Sequence, residues 1–223
     1  MTIHKEGIFS IVVAGLFLSV LLFLFFRYCP YSRKFPGVIM PVLVVMTSLC
    51  LFFLVVRFFR VPDRVINKVE NGILSPADGT IVAIEEIFED EYFKNKRLKI
   101  SVFMSITNVH VNYFPIDGEV IYVCYHPGKH LVARYPKSSV YNEHQSVVVS
   151  KNEHETVLFR QIAGLIARRI AQQVKTGDIA VQGHEMGIIK FGSRVDVFLP
   201  LDCEPSVKIG DKVWAQKSVL AYF

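Results

Sequence analysis

The residues best placed to do chemistry stand near the C-terminal end, in Ile188-Ile189-Lys190-Phe191-Gly192-Ser193-Arg194-Val195-Asp196-Val197-Phe198-Leu199-Pro200. An apolar run enters a Gly-Ser pair, and an alternating run leaves it. Val195, Val197 and Leu199 fall on one face, and Arg194, Asp196 and Phe198 on the other. Gly192 has no Cβ, so its carbonyl is open to close approach by the next side chain. The Ser193 hydroxyl can attack that carbonyl and exchange the amide for an ester. β-Elimination then leaves a dehydroalanine, and its hydrolysis gives a pyruvoyl group at a new N-terminus. The competing reading is a glycine kink in a buried strand followed by a surface serine. About one Gly-Ser pair is expected by chance in a chain of this size, so the pair alone selects neither.

Other groups could serve such a site. Asp78, in Ala77-Asp78-Gly79, is either a turn residue bonded to its own backbone or a carboxylate that orients a histidine. His110, His126, His130, His144 and His184 are the candidate bases, although a lone histidine more often has a structural or surface role. Cys29, Cys50, Cys124 and Cys203 have no metal-ligand spacing, so no metal is expected. Reduced thiols suit a cytoplasmic face.

These residues need a scaffold, and the 223-residue chain offers two kinds of sequence for it. Hydrophobic residues make up 52% of the chain, and the excess lies in the first quarter. From Arg57 onward there are 21 Lys+Arg against 19 Asp+Glu, a nearly neutral balance. No basic stripe with interleaved aromatics appears, which argues against nucleic acid.

Residues 8–26 and 38–56 carry no charge and are each 19 long, roughly 28 Å as a helix, about the hydrocarbon thickness. No small-residue cleavage site follows Phe26. Pro30, Pro36 and Gly37 break the linker between the two runs. A transmembrane hairpin over residues 1–60 is expected, with a re-entrant or interfacial pair as the alternative. Arg57-Phe58-Phe59-Arg60 suits the headgroup boundary. A connector over 61–72 would lead to a soluble domain over 73–223.

That domain reads as antiparallel β. Thr80–Ile84 and Leu98–Met104 are strands, and Val147–Ser150 with Thr156–Phe159 form a further pair. Val109–Phe114 and Glu119–Tyr125 flank Pro115-Ile116-Asp117-Gly118, a hairpin signal. Residues 161–172 permit one helix or two strands. Val174-Lys175-Thr176-Gly177-Asp178 recurs as Val207-Lys208-Ile209-Gly210-Asp211. Such Lys-x-Gly-Asp turns resemble those of lipoyl- and biotinyl-type barrel-sandwich domains. A mainly β, antiparallel barrel-sandwich domain after a two-helix membrane hairpin is therefore expected.

Four features occur in one order: Ser75-Pro76-Ala77-Asp78-Gly79; Val109-His110-Val111-Asn112 with Pro115-Ile116-Asp117-Gly118; Tyr125-His126-Pro127-Gly128 with Asn142-Glu143-His144; and Lys190-Phe191-Gly192-Ser193. Over about residues 57–223 this resembles the phosphatidylserine decarboxylase family, in its short membrane-anchored bacterial and archaeal form. The resemblance implies a pyruvoyl lyase made from a zymogen that cuts itself between Gly192 and Ser193. A long β chain and a short α chain would remain together as a heterodimer, with homo-oligomers left open. The pyruvoyl group, derived from Ser193, would form a Schiff base with the amine of phosphatidylserine and release phosphatidylethanolamine.

By the same resemblance, Ser193, His110 and Asp78 are the catalytic residues. His110 matches the first histidine of the long form's His-x-x-His-x-Pro, and Tyr113 stands where the second belongs. A neutral phenol, with a pKa of about 10, is a poor base near neutrality. His110 then does both jobs, or His144, His126, His130 or His184 substitutes. The alternatives are a membrane-anchored lipoyl- or biotinyl-like carrier, a serine hydrolase and a non-catalytic adaptor. A carrier would present Lys190 without the usual flanking methionines, and a hydrolase would want Gly-x-Ser-x-Gly.

Lys5, Arg57, Arg60, Arg64 and Lys68 on one side of the hairpin outnumber Arg27, Arg33 and Lys34 in the linker. This puts the bulk of the chain on the cytoplasmic side of the cell membrane. A reporter fused after Phe223 is expected to read cytoplasm and one inserted at Arg33 the opposite side. Cytoplasmic signals from both would mean a re-entrant pair.

Overall fold

The computed structural model describes residues 1–28, 39–129, 131, 141–164, 170–172, 174–189 and 193–223. Lys190, Phe191, Gly192, His130, most of the interhelical linker and residues 165–169 lie outside the described residues. The chain divides into two compact units, Met1–Asp63 and Arg64–Phe223.

In the first unit the two apolar runs form α1 (Lys5–Tyr28) and α2 (Ile39–Phe58). Helix α1 outruns its uncharged stretch because Glu6 in its first turn and Arg27 in its last suit the helix dipole. Gly7 lies against Phe59 and Gly15 against Phe52, so the helices run antiparallel as a hairpin. Strand β1 (Thr2–Ile3) pairs with β2 (Arg60–Val61), tying the start of α1 to the end of α2. Leu16, Phe17, Phe23, Leu43 and Phe53 stay exposed, and both helices are long and apolar enough to cross a membrane.

In the second unit the strands are β3 (Gly72–Leu74), β4 (Gly79–Glu89), β5 (Asn95–Met104), β6 (Val111–Tyr113), β7 (Gly118–His126), β8 (His144–Ser150) and β9 (Thr156–Ile162). They continue as β10 (Ile170–Gln172), β11 (Ile179–Ala180), β12 (Glu185–Ile189), β13 (Ser193–Leu199), β14 (Glu204–Pro205), β15 (Lys212–Val213) and β16 (Val219–Tyr222). The described ends of the ambiguous segment are thus strand. Among the described residues the main sheet has the order β11-β7-β8-β9-β13-β5-β4-β15, all antiparallel. Two smaller sheets, β10-β12-β6 and β14-β16-β3, accompany it.

Both faces of the main sheet's central strands are covered. Val195, Val197 and Leu199 of β13 join Ile100, Val102, Val147 and Phe159 in the principal core. On the reverse face Phe198, Val148 and Leu158 pack with Tyr92 and Phe93 from the β4–β5 turn. The Glu89 carboxylate holds that turn by accepting from the N–H groups of Glu91, Tyr92 and Phe93 at 3.0, 2.9 and 2.7 Å. Arg194 and Asp196 are therefore buried too, and they neutralise each other side by side at 2.8 Å.

The expected hairpin across Pro115-Ile116-Asp117-Gly118 does not form. Strand β6 pairs with β12, whereas β7 pairs with β8 and β11. The Pro115 carbonyl accepts from Leu74 N–H, and Asp117 accepts from Gln182 N–H. The segment is a crossing between two sheets rather than a turn within one.

The crossing has a twin, Pro76-Ala77-Asp78-Gly79, and the two are related by an internal duplication. Leu74 N–H reaches Pro115 O at 3.0 Å, and Tyr113 N–H reaches Pro76 O at 2.9 Å. Gly210 N–H donates to Ile81 O, and Gly177 N–H donates to Val120 O, each at 2.8 Å. In each repeated turn an aspartate caps the lysine N–H at 2.8 Å, Asp178 on Lys175 and Asp211 on Lys208. Strand β15 then lies on β4 as β11 lies on β7. The repeat visible in the sequence is the outer half of this arrangement.

Gly118 and Gly177 have positive φ, 154° and 94°. A methyl at Gly118 would also meet the Ser150 carbonyl, whereas nothing lies near Gly177. Gly177→Ala is expected to cost about 1–2 kcal/mol for the backbone conformation alone. Gly118→Ala should cost roughly 1–3 kcal/mol more for the overpacking. Urea unfolding of the two variants should rank them in that order.

Candidate active site

Ser193 is the first residue of β13 and is wholly buried. It is not the surface serine of the competing sequence reading. It stands opposite Met104 on β5, and its hydroxyl donates to Met104 Sδ at 3.2 Å. A thioether is a weak acceptor, so it does little to hold that proton. The same sulfur lies 3.6 Å from Asn112 Nδ2, and Asn112 Oδ1 accepts from Gln161 Nε2 at 2.8 Å. A short polar chain, Gln161–Asn112–Met104, thus ends on the Ser193 hydroxyl. Asn112 belongs to the Val109-His110-Val111-Asn112 motif, but neither it nor Met104 and Gln161 has a sequence signal for this role.

His110 is also wholly buried. Its carbonyl accepts from Ile189 N–H at 3.3 Å, so it flanks the last residue of β12. Its Nδ1 lies 3.0 Å from the Asn108 carbonyl. That contact makes Nδ1 the donor and leaves Nε2 as the basic nitrogen.

The structure gives Asp78 different partners from those expected. Its two oxygens accept from Arg64 Nη1 and Nη2 at 2.6 and 2.7 Å. Oδ1 also accepts from Ala215 N–H at 2.9 Å, and Arg64 Nη1 reaches Ala215 O at 3.1 Å. Among the described residues Asp78 hydrogen-bonds no histidine. The imidazole tautomer is set by a backbone carbonyl, and the carboxylate belongs to a bidentate ion pair. Arg64, counted from the sequence as a membrane-side cation, is committed to this pair. The only sequence hint was a cation in a connector beside an Asp-Gly turn.

Tyr113 lies near both Arg64 and Asp78, and burial pushes its phenol up to about 12. It is neutral at physiological pH and cannot act there as a base. Among the described residues the spare histidines sit elsewhere. His144 pairs with Ile162, which pairs with Arg194, so its side chain is on the opposite sheet face from Ser193. It stacks on His126 at 4.5 Å, and burial lowers its pKa. His184 is exposed.

Among the described residues one cluster has metal-ligand composition. Glu91, Cys124 and His126 bring their ligand atoms within 4.8 Å of one another. Glu91 already accepts from His126 at 2.8 Å and from Arg160 at 2.6 Å. A guanidinium supplies the positive charge there.

Residues 51–221 match the family model described as phosphatidylserine decarboxylase. Proteins named phosphatidylserine decarboxylase proenzyme are similar along the whole chain. That of Cytophaga hutchinsonii is 45% identical over 223 residues, covering 100% of this chain and 99% of its own. That of Amoebophilus asiaticus is 49% identical over 221 residues, covering 99% and 96%. That of Bacteroides thetaiotaomicron is 42% identical over 220 residues, covering 98% and 94%. Matched from its helices to its last strand, with a buried serine opening a central strand, this chain belongs to the phosphatidylserine decarboxylase family and is a decarboxylase.

Proposed function

We propose that this chain converts phosphatidylserine to phosphatidylethanolamine through a pyruvoyl group that it makes from Ser193, cutting itself between Gly192 and Ser193. The observation that carries the reading is the buried Ser193 hydroxyl on a weak thioether acceptor at the start of a doubly paired strand. The relatives' names support it, because a proenzyme needs a maturation step. The site fits the group: residue 193 pairs with Met104 on β5, and β9 joins the strand from Arg194 onward, so neither ladder depends on the bond before residue 193.

When formed, the pyruvoyl group supplies an electron sink for the pair freed as carbon dioxide leaves. The chain supplies the proton transfers. His110, with Nδ1 fixed by Asn108, offers Nε2 to take the Ser193 hydroxyl proton and pass it to the departing amide nitrogen. The same nitrogen removes the α-proton as the Gly192 carboxylate leaves. In turnover it returns a proton to the substrate carbon that has lost carbon dioxide. Asp78 acts as a positioning residue. Locked by Arg64 and Ala215, it fixes the start of β4, the strand beside the one that carries Met104. The α1–α2 hairpin anchors the domain to the cell membrane with both ends cytoplasmic. With Arg64 committed to Asp78, the charge margin behind that orientation narrows to Lys5, Arg57, Arg60 and Lys68.

Intact-mass analysis of the purified protein should find residues 193–223 as a 31-residue chain with a blocked, carbonyl-reactive N-terminus. Ser193→Ala should remain full length and inactive; a cleaved Ser193→Ala protein would overturn the proposal.

His110→Ala should leave most of the protein uncut, while Tyr113→Phe cuts normally. Full cleavage of His110→Ala would move the processing base elsewhere and leave His110 with turnover alone.

Arg64→Met strands the Asp78 carboxylate, which is nearly buried, with the Ala215 N–H as its remaining partner. A loss of about 3 kcal/mol, the low end for a broken buried pair, should appear in urea unfolding. Self-cleavage should also slow. An Arg64→Met protein that cuts at the normal rate would confine the pair to stability.

A further inference from the structure

Two tight turns of the second unit carry an isoleucine at the tip, where a polar residue or glycine is usual. In Ser105-Ile106-Thr107-Asn108, Asn108 N–H donates to Ser105 O at 2.8 Å and Ser105 N–H to Asn108 Oδ1 at 2.9 Å. In Lys208-Ile209-Gly210-Asp211, Asp211 N–H donates to Lys208 O at 3.1 Å and Lys208 N–H to Asp211 Oδ2 at 2.8 Å. Each turn is closed on itself and holds its isoleucine out, Ile106 54% and Ile209 65% exposed. The second turn leads into β15, the edge strand beside β4, and Trp214, 53% exposed, follows that strand. A cleft of about 250 Å³ separates the edge from the first turn, lined among others by Ser105, Thr107, Lys212 and Trp214. Its two lips therefore carry Ile106 and Trp214. Thr80 and Lys212 share the sheet face of Phe103, opposite that of Met104 and Ser193, so this surface is separate from the candidate active site.

The charge beside these apolar tips is positive. Residues 208–217 hold Lys208, Lys212 and Lys217, all exposed, against Asp211 alone. The Asp211 carboxylate is turned onto its own turn, and no acidic residue lines the cleft. Lysines by themselves are ordinary guards of a sheet edge, but an exposed tryptophan and isoleucine beside them are not. An indole among lysines is the composition of a membrane–water boundary, where each side chain has an apolar part and a wet end.

The duplicated half provides an internal control. There Thr176 takes the place of Ile209, Ile179 that of Lys212 and Val181 that of Trp214. Residues 174–184 hold a single lysine, Lys175, and no tryptophan. The fold requires neither at these positions. The chain also tethers the edge that has them. Arg64 Nη1 donates to Ala215 O at 3.1 Å and Asn67 N–H to Gln216 O at 2.9 Å. Arg64 follows Phe58, the last residue of α2, by six residues, about 20 Å of extended chain.

We propose that this edge is a second membrane contact of the protein. Ile106, Ile209 and Trp214 enter the interfacial layer of an anionic bilayer, and Lys208, Lys212 and Lys217 meet its phosphates. The Asn108 carbonyl of the first turn holds His110 Nδ1, so the turn that meets lipid is also the one that orients this imidazole. The inference does not depend on the chemistry at residue 193.

Trp214 is the only tryptophan of the chain, so its fluorescence reports this edge alone. The full-length protein is reconstituted in vesicles of phosphatidylcholine with phosphatidylglycerol, an anionic lipid without an amine. Acyl-brominated phosphatidylcholine in the same vesicles should quench at least about half of the emission, as for an indole at the interface. Quenching should weaken roughly twofold in vesicles of phosphatidylcholine alone, and as much in the Lys208→Gln, Lys212→Gln double variant. Ile106→Ser should weaken it too, whereas Ile179→Ser on the twin edge should leave it unchanged. Emission untouched by brominated lipid would overturn the proposal. Acrylamide would then show whether the indole lies in water or under a protein surface such as a second copy. Quenching that ignores both the anionic lipid and the lysines would also overturn it. Intact mass of the same sample reads the cut before residue 193 separately, so either reading can fail without the other.

Discussion

Strand β13 is hydrogen-bonded on both sides, by β5 and by β9, and its first residue is Ser193. Everything else in the site is arranged around that fact. A residue at the end of a doubly paired strand has its backbone fixed without help from the bond that precedes it. Val195, Val197 and Leu199 add full burial, about 1.5–3 kcal/mol each. Chemistry that breaks the chain at this point needs a scaffold indifferent to the break. Met104, directly opposite, then gives the hydroxyl only a weak acceptor, and the Asn108–His110 segment sets the imidazole.

Local signals were easy to read and long-range ones were not. The helices and the β8–β9 pair follow from apolar runs and alternation, which act over a few residues. Pro115-Ile116-Asp117-Gly118 misled because a Pro-Asp-Gly pattern looks alike as a hairpin turn and as a crossing between sheets. The difference lies in who satisfies the Pro115 carbonyl, and those partners, Leu74 and Gln182, are distant in sequence. The Asp78–Arg64 pair was hidden for the same reason. A carboxylate next to a glycine announces a turn, but nothing in its neighbourhood names the cation that will claim it. Ser193, His110 and Asp78 could be named as candidates because motif order is a one-dimensional property. Met104 and Gln161 were not, since their roles exist only in the sheet register.

The duplication explains why the two aspartates differ in use. Asp78 and Asp117 occupy equivalent places and each accepts a backbone N–H, from Ala215 and from Gln182. Asp78 is buried against Arg64, whereas the Asp117 side chain is 53% exposed with Lys68 only 3.9 Å away. The shared N–H contact belongs to the architecture. The guanidinium is the addition that one half made, and with it came a rigid junction between the start of β4 and the C-terminal segment.

The two-sided pairing of β13 also bears on how the molecule ages. Residues 193–223 are woven in at four places: β13 in the centre of the main sheet, β15 on its edge, and β14 and β16 in the small sheet with β3. A fragment held this way leaves only when the whole domain unfolds. If the chain is cut before residue 193 as proposed, no fresh copy of the short piece can be exchanged for a damaged one. Wear at that residue would then be permanent for the individual molecule, and capacity would be restored only by making the entire chain again.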